Sequence, residues 1–273
     1  MSKPEDSPLG KSVAYGERYD PGLLFSIERA PQRAALGLGE PLPFSGADLW
    51  TAYELSWLDP RGKPEVAIGV FRVPADSPRI VESKSLKLYL NSFSQTPFDS
   101  AVAVGRAIAA DLGAAFGAAV AAELVGPREF GRLRLAELEG ESIDDLAIEV
   151  HDYAPRPDLL AADGPAVEET LVSHLFKSNC PVTGQPDWGS VQVRYRGPRI
   201  DRAGLLRYLV SYRRHAVFHE HCVERIFVDL HERCHPGKLT VYARFTRRGG
   251  IDINPFRSDW EPAPRAGVRT ARQ

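Results

Sequence analysis

Cysteine is scarce: three residues in 273, at positions 180, 222 and 234. An odd and small set excludes a disulfide-stapled secreted scaffold and fits free thiols in a reducing compartment. A basic excess is missing too. Lys and Arg number 34 against 36 Asp and Glu, a net charge of −2. That argues against a dedicated nucleic-acid binder, although a local basic patch for a small phosphorylated ligand stays open. The start, MSKPEDSPLGK, lacks the apolar stretch of a secretory leader, so the expected location is cytoplasmic. The longest apolar run, residues 101–126, is broken by Arg106, Asp111 and Glu123 and reads as a packed soluble helix rather than a membrane span. Its Gly113 and Gly117, four apart, suit close helix packing. There is no GxGxxG after a strand and no Walker sequence, so a nucleotide must bind without those devices. There is no CxxC pair and no HExxH, so no standard zinc signature is present.

Apolar residues make up 43% of the chain, enough for one large domain or two small ones. Residues 1–45 are rich in Pro, Gly and charge, lack sustained periodicity, and read as an irregular arm. Strands are expected at 49–59 and 65–73. Helices are expected from 85 to 93 and from Phe98 to about Leu124, then strands at 132–139 and 146–153. The order recurs. Strands are expected at 170–179 and 190–197, helices at 202–213 and 217–234, and strands at 238–247 and 251–256. Residues 154–169 have the composition of a linker.

The recurrence extends to single residues, the signature of an internal repeat. PRI at 78–80 matches PRI at 198–200, and LKLYLNSF at 86–93 matches LLRYLVSY at 205–212. Phe98 aligns with Phe218, and DPRGKP at 59–64 lies opposite CPVTGQP at 180–186 with one insertion. The fold expected is α+β: two ββααββ units, 46–153 and 170–273, each an antiparallel sheet with its helices on one face. Cys180 then lies opposite Asp59, and distinctive polar residues are divided between the copies. A site assembled from both halves explains that division; drift after duplication explains it equally.

Four stretches carry candidate chemistry. Cys180 sits in the turn-like KSNCPVTGQPDWGS (177–190), seven residues before Asp187. It is either a buried structural thiol or a nucleophile on a loop, with Asp187 as its acid. HAVFHEHC at 215–222 places His215 and His219 four apart, with Glu220 beside them. Solvated helical histidines are favoured over a zinc site, and Glu220 suits an amidine-like N–H pair, because a carboxylate accepts two parallel hydrogen bonds. Glu82-Ser83-Lys84, with Lys87 nearby, reads as an ordinary helix start. Arg247-Arg248-Gly249-Gly250 reads as a hairpin turn, or as a holder for phosphate.

These segments together resemble a known family. ESKSLKLYLNSF (82–93), NCPVTGQPDWGSV (179–191), FHEHCVERI (218–226) and RRGG (247–250) are similar, in order and position, to the NADPH-dependent 7-cyano-7-deazaguanine reductases, nitrile reductases of queuosine biosynthesis. The resemblance spans nearly the whole chain and implies the long form, a tandem tunnelling fold (T-fold). It implies Cys180 as nucleophile and Asp187 as acid. It also implies Val81, Glu82, Ser83, His219 and Glu220 around the substrate, and Ser83, Lys84, Arg248 and Gly249 around NADPH, with no metal. A homodimer acting on the free base, without membrane or nucleic-acid contact, is expected. Two rivals are a zinc-dependent hydrolase resembling the GTP cyclohydrolases, which share the fold, and a non-catalytic purine-binding module.

Overall fold

The computed structural model describes residues 6–8, 16, 18–264 and 268–273; residues 1–5, 9–15 and 17 of the expected arm lie outside it. The described part of that arm is not irregular throughout. It holds a short strand, β1 (Ser26–Glu28), and a six-residue helix, α1 (Ala30–Ala35). Proline at the start of α1 is a common helix opener that no periodicity reveals in so short a segment.

The first half continues with β2 (Ser45–Leu58), β3 (Pro64–Pro74), β4 (Arg79–Val81), α2 (Ser83–Ser92), α3 (Ala101–Phe116) and β5 (Ala121–Val125). After it come only two-residue strands, β6 (Arg134–Leu135) and β7 (Glu141–Ser142). The second half comprises β8 (Ala162–Ser173), β9 (Lys177–Asn179), β10 (Pro186–Ile200), α4 (Arg202–Ser211), α5 (His219–Cys234), β11 (Lys238–Phe245) and β12 (Ile251–Ser258). A terminal β13 (Val268–Arg269) pairs in parallel with β6.

One sheet runs β5-β3-β2-β12-β11-β10-β8-β7, with β9 paired on β10. The last strand of the second half therefore lies beside the first strand of the first half, Ile253 opposite Trp50. Each half has its own core under its own helices. In the first, Leu86, Tyr89, Leu90 and Phe93 bury the inner stripe of α2, and Val104, Ile108, Leu112 and Phe116 that of α3, against Trp50 and Phe71. In the second, Val223, Ile226, Phe227 and Leu230 of α5 meet Val191, Val193, Leu239 and Val241. Each such side chain contributes about 1.5–3 kcal/mol of burial. None of the helices among the described residues is long and apolar enough to cross a membrane.

Three expectations fail in physical ways. The Ala-rich helix stops at Phe116, not Leu124, because Gly117 takes the left-handed C-cap with φ 73° that glycine adopts freely; Gly117 ends the helix and also packs closely on Pro78 and Arg79. Residues 121–125 form strand β5 instead of continuing the helix. The strands expected at 132–139 and 146–153 shrink to β6 or disappear, since nothing pairs with them beyond two residues. The linker at 154–169 overlaps β8, which begins at Ala162.

The two halves share hydrogen bonds as well as order. Glu82 caps α2 through Lys84 N and Ser85 N, and Asp201 caps α4 through Ala203 N and Gly204 N. Tyr89 OH donates to Asp111 and Tyr208 OH to Asp229, each at 2.6 Å. Ser92 and Ser211 each donate 2.6 Å bonds to the carbonyls of those tyrosines. The bridges Leu58–Pro97 and Asn179–Ala216 also correspond, which places Phe98 opposite Val217, one residue from the alignment with Phe218.

Candidate active site

The turn after β9 mounts Cys180. Cys180 N donates to Gln185 O at 2.8 Å and Gly184 N to Cys180 O at 3.0 Å, with Gly184 at φ 68°. The first half builds the same turn: Asp59 N donates to Lys63 O at 2.8 Å and Gly62 N to Asp59 O at 2.9 Å, with Gly62 at φ 84°. There Asp59 Oδ1 also accepts from Arg61 N and Lys63 N, so its carboxylate serves the turn. Cys180 has no such duty, and the backbone shape survives without it.

Beyond this turn β10 begins, with Asp187 opposite Ser178 of β9. The N-terminus of α5 supplies His219 and Glu220. From the first half, β4 leads into α2. The arm's β1 pairs with β4, Ser26 opposite Val81, and Phe25 O accepts from Glu82 N at 2.9 Å. A small pocket results, lined by Val81 and Ser83 from one half and by Cys180, Asp187, His219, Glu220 and Arg248 from the other. Phe218, Pro181 and Ile253 complete its apolar walls.

The polar lining is almost dry. Cys180 is 2% exposed, Asp187 3%, Glu220 2% and His219 7%. Asp187 Oδ1 lies 3.0 Å from Arg248 Nε and 3.3 Å from His219 Nε2. The His219 ring stacks on Phe245, centroids 3.9 Å apart and planes within 8°, which fixes its orientation. Burial, with Asp48 nearby, pushes Glu220 up to about 7, so its charge state changes near neutrality. Burial also raises Glu82, whose two oxygens are occupied with the cap of α2. Glu82 lies between the lining residues Val81 and Ser83 but is not itself in the lining. Burial pushes the thiols of Cys222 and Cys234 up, Cys234 to about 11, which keeps both protonated and unreactive.

Arg248 through Ile251 form a two-residue hairpin. Arg248 N donates to Ile251 O at 2.9 Å and Ile251 N to Arg248 O at 3.2 Å, with Gly249 at φ 58° and Gly250 at φ 78°. Two positive φ values demand glycine in such a turn. A β-bulge between Ala52 and Leu55 of β2 turns Glu54 toward it, and Lys87 Nζ lies 3.3 Å from Glu54. A Cβ on Gly249 would come 3.0 Å from Lys87 Cδ, and one on Gly250 would collide with the Glu54 carboxylate.

The helix face expected to carry both His215 and His219 does not form, because α5 starts at His219 and His215 precedes it. Among the described residues, no three His, Cys, Asp or Glu side chains converge to hold a metal ion. Phe218, Phe245 and Ile253 are the site residues that sequence reasoning misses; as apolar residues in buried elements they carry no signal separating pocket wall from core. A larger cleft, about 940 Å³, lies elsewhere, along Leu49, Val70, Arg72 and Glu123, and is lined by neither cysteine nor histidine.

Comparison with known proteins decides the family. Residues 15–124 match the family described as nitrile reductase, 7-cyano-7-deazaguanine-reductase N-term, and residues 186–264 match that of QueF-like protein. The chain is 63% identical over 269 residues to a Bordetella pertussis protein named NADPH-dependent 7-cyano-7-deazaguanine reductase, covering 98% of each. The chain belongs to the 7-cyano-7-deazaguanine reductase family. Equally named relatives from Chromobacterium violaceum and Burkholderia multivorans are 60% and 58% identical over 272 residues, covering 99% of this chain and 98% and 99% of theirs. Membership agrees with the resemblance carried by segments 82–93, 179–191, 218–226 and 247–250, which lie in the walls of this pocket or beside it.

Proposed function

We propose that this chain reduces the nitrile of 7-cyano-7-deazaguanine to an aminomethyl group, a four-electron reduction that consumes two NADPH in queuosine biosynthesis. The observation that carries this reading is the single pocket that gathers Cys180 and Asp187 with Glu220 and with Val81 and Ser83 of the other half. A dry pocket strengthens every charge interaction within it.

Cys180 attacks the nitrile carbon, and a C–S bond forms as one C≡N π bond breaks. The thiol proton passes to Asp187 and from there to the nitrogen, so the thiol adds across the nitrile and gives a thioimide. Covalent capture turns a modest electrophile into a fixed C=N acceptor. Bound NADPH supplies hydride to that carbon, twice per nitrile. Between the two reductions the C–S bond breaks and Cys180 leaves as thiolate. Asp187, held between Arg248 and His219, takes a second proton from solvent and passes it to nitrogen. A further solvent proton restores the Cys180 thiol, so two hydrides and two protons are consumed per nitrile. Glu220 accepts two N–H bonds from the deazaguanine edge, with His219 beside it, while Val81, Glu82 and Ser83 shape the pocket.

The cofactor residues fit their role. The Gly249–Gly250 turn packs closely on Lys87 and on the Glu54 carboxylate, with Lys87 paired to Glu54 and Arg248 to Asp187, so the cations beside the turn are Arg248 and Lys87. Ser83, Lys84, Arg248 and Gly249 would hold NADPH, the cations meeting its phosphates. In this reading the two halves are T-fold modules, the second opening with β8 at Ala162, and the protein is a cytoplasmic homodimer. The substrate is the free base, so no nucleic acid need bind.

The test is NADPH oxidation with 7-cyano-7-deazaguanine, comparing wild type with Cys180→Ala and Asp187→Ala. Nitrile-dependent oxidation lost in both variants supports the reading. Unchanged turnover in Cys180→Ala overturns it, and stoichiometric zinc in active protein would favour the hydrolase alternative.

A further inference from the structure

Beneath Glu220 lies a buried charge cluster that the chemistry above does not use. Arg29 Nη2 lies 2.5 Å from Asp48, and Arg29 Nη1 lies 3.5 Å from Glu224. Arg257 bridges the same two acids, at 2.7 Å to Asp48 and 2.9 Å to Glu224. Arg33 binds Glu224 at 2.8 Å. Arg29, Asp48, Glu224 and Arg257 have no exposed surface. The cluster ties the arm (Arg29, Arg33) to β2 (Asp48), β12 (Arg257) and α5 (Glu224). Glu224 is one helical turn from Glu220, on the same face. Three cations against two anions leave one positive charge, which an ionised Glu220 neutralises.

We propose that Arg29 and Asp48 are positioning residues that set the ionisation of Glu220 from below the pocket, so the N-terminal arm helps determine affinity for the deazaguanine edge. This rests on Glu220 being the group that grips that edge. Burial and the like charge of Asp48 raise Glu220, while Arg29 and His219 oppose them. The other charged or titratable groups around Glu220 are Arg33 on the arm, Arg257 on β12, Cys180 on the turn before β10, Asp187 on β10, Arg248 on the hairpin, Glu82 at α2, and His221, Cys222 and Glu224 on α5 itself. His221 interacts with Arg29, Arg33, Arg257 and Glu224, and burial lowers it to about 4, so it stays neutral across the range tested. Asp48 and Arg29 are the pair whose removal acts on Glu220 with opposite sign. Deleting Asp48 leaves more positive charge and favours the carboxylate. Deleting Arg29 does the reverse.

The experiment measures the affinity of 7-cyano-7-deazaguanine by calorimetry, in a Cys180→Ala background, across a pH range either side of neutrality. Affinity falls on the acid side as Glu220 protonates. Asp48→Asn is expected to move that acid limb down by about one pH unit, and Arg29→Met to move it up by about as much, a tenfold change in affinity on the limb. Arg29→Lys keeps the limb near its wild-type position, and the double variant Arg29→Met/Asp48→Asn, which removes the pair together, returns toward it. A merely structural role lowers the thermal midpoint and leaves the limb in place. If both single variants leave the limb unmoved, or move it the same way, while Glu220→Gln loses affinity, the inference is overturned. If Glu220→Gln binds as tightly as the parent, the functional reading beneath it fails instead.

Discussion

Arg248 Nε lies 3.0 Å from Asp187 Oδ1, on the oxygen that also faces His219 Nε2. The carboxylate proposed as the acid is thus held between a hairpin cation and a stacked imidazole. Asp187→Asn keeps the shape and removes the proton carrier. It should lower kcat by about 10²–10⁴-fold while calorimetric affinity for the nitrile stays within a few fold. A variant that instead loses binding and keeps kcat would make Asp187 a substrate clamp.

Gly250 has φ 78°, and a Cβ there would meet the Glu54 carboxylate. Gly250→Ala should cost about 1–3 kcal/mol. The hairpin beside Arg248 then shifts, so KM for NADPH should rise more than KM for the nitrile. Thermal melting and steady-state kinetics read the two effects separately.

Glu220 carries a pH signature in the free protein. Its folded pKa, about 7, lies above its ordinary value of 4.5. Stability from that shift is fully present below 4.5 and is lost as pH rises through 7. Glu220→Gln removes the cost of the buried charge. The ligand-free variant should be more stable than wild type above neutrality, by roughly 2–3 kcal/mol at most, and the gap should close in acid. Denaturant titrations at several pH values check this; an equal gap at every pH contradicts it.

Glu224 runs the other way. Burial would raise it, but Arg257, Arg33 and Arg29 hold it at about 2. Its contribution is present above 4.5 and lost as pH falls through 2. Glu224→Gln leaves three arginines short of a counter-charge and should destabilise by about 3–5 kcal/mol, seen as a lower denaturant midpoint at neutral pH.

The strands and helices with strict periodicity were legible: Leu86, Tyr89, Leu90 and Phe93 mark α2, and Val191, Val193 and Tyr195 mark β10. The end of α3 was not, because Ala and Gly carry no face, and the helix gives way to β5 through the left-handed Gly117 and three further residues of the same small, apolar kind. Within the site, the repeat exposed Cys180 by its contrast with Asp59, and the resemblance supplied Asp187, His219 and Glu220 with roles. The cluster under Glu220 was invisible. Arg29 and Glu224 are 195 residues apart, and a buried arginine looks like an exposed one in sequence. Pairing of that kind depends on how the sheet joins β12 to β2, which no local pattern encodes.

The most direct measurement is intact-protein mass after incubation with 7-cyano-7-deazaguanine in the absence of NADPH. Addition of a thiol across a nitrile loses no atoms. Wild type should therefore gain the full mass of one nitrile per chain, mapped by peptide digestion to Cys180. Cys180→Ala should gain nothing and turn over nothing. Adduct on Cys222 or Cys234, or turnover by Cys180→Ala, would contradict the account.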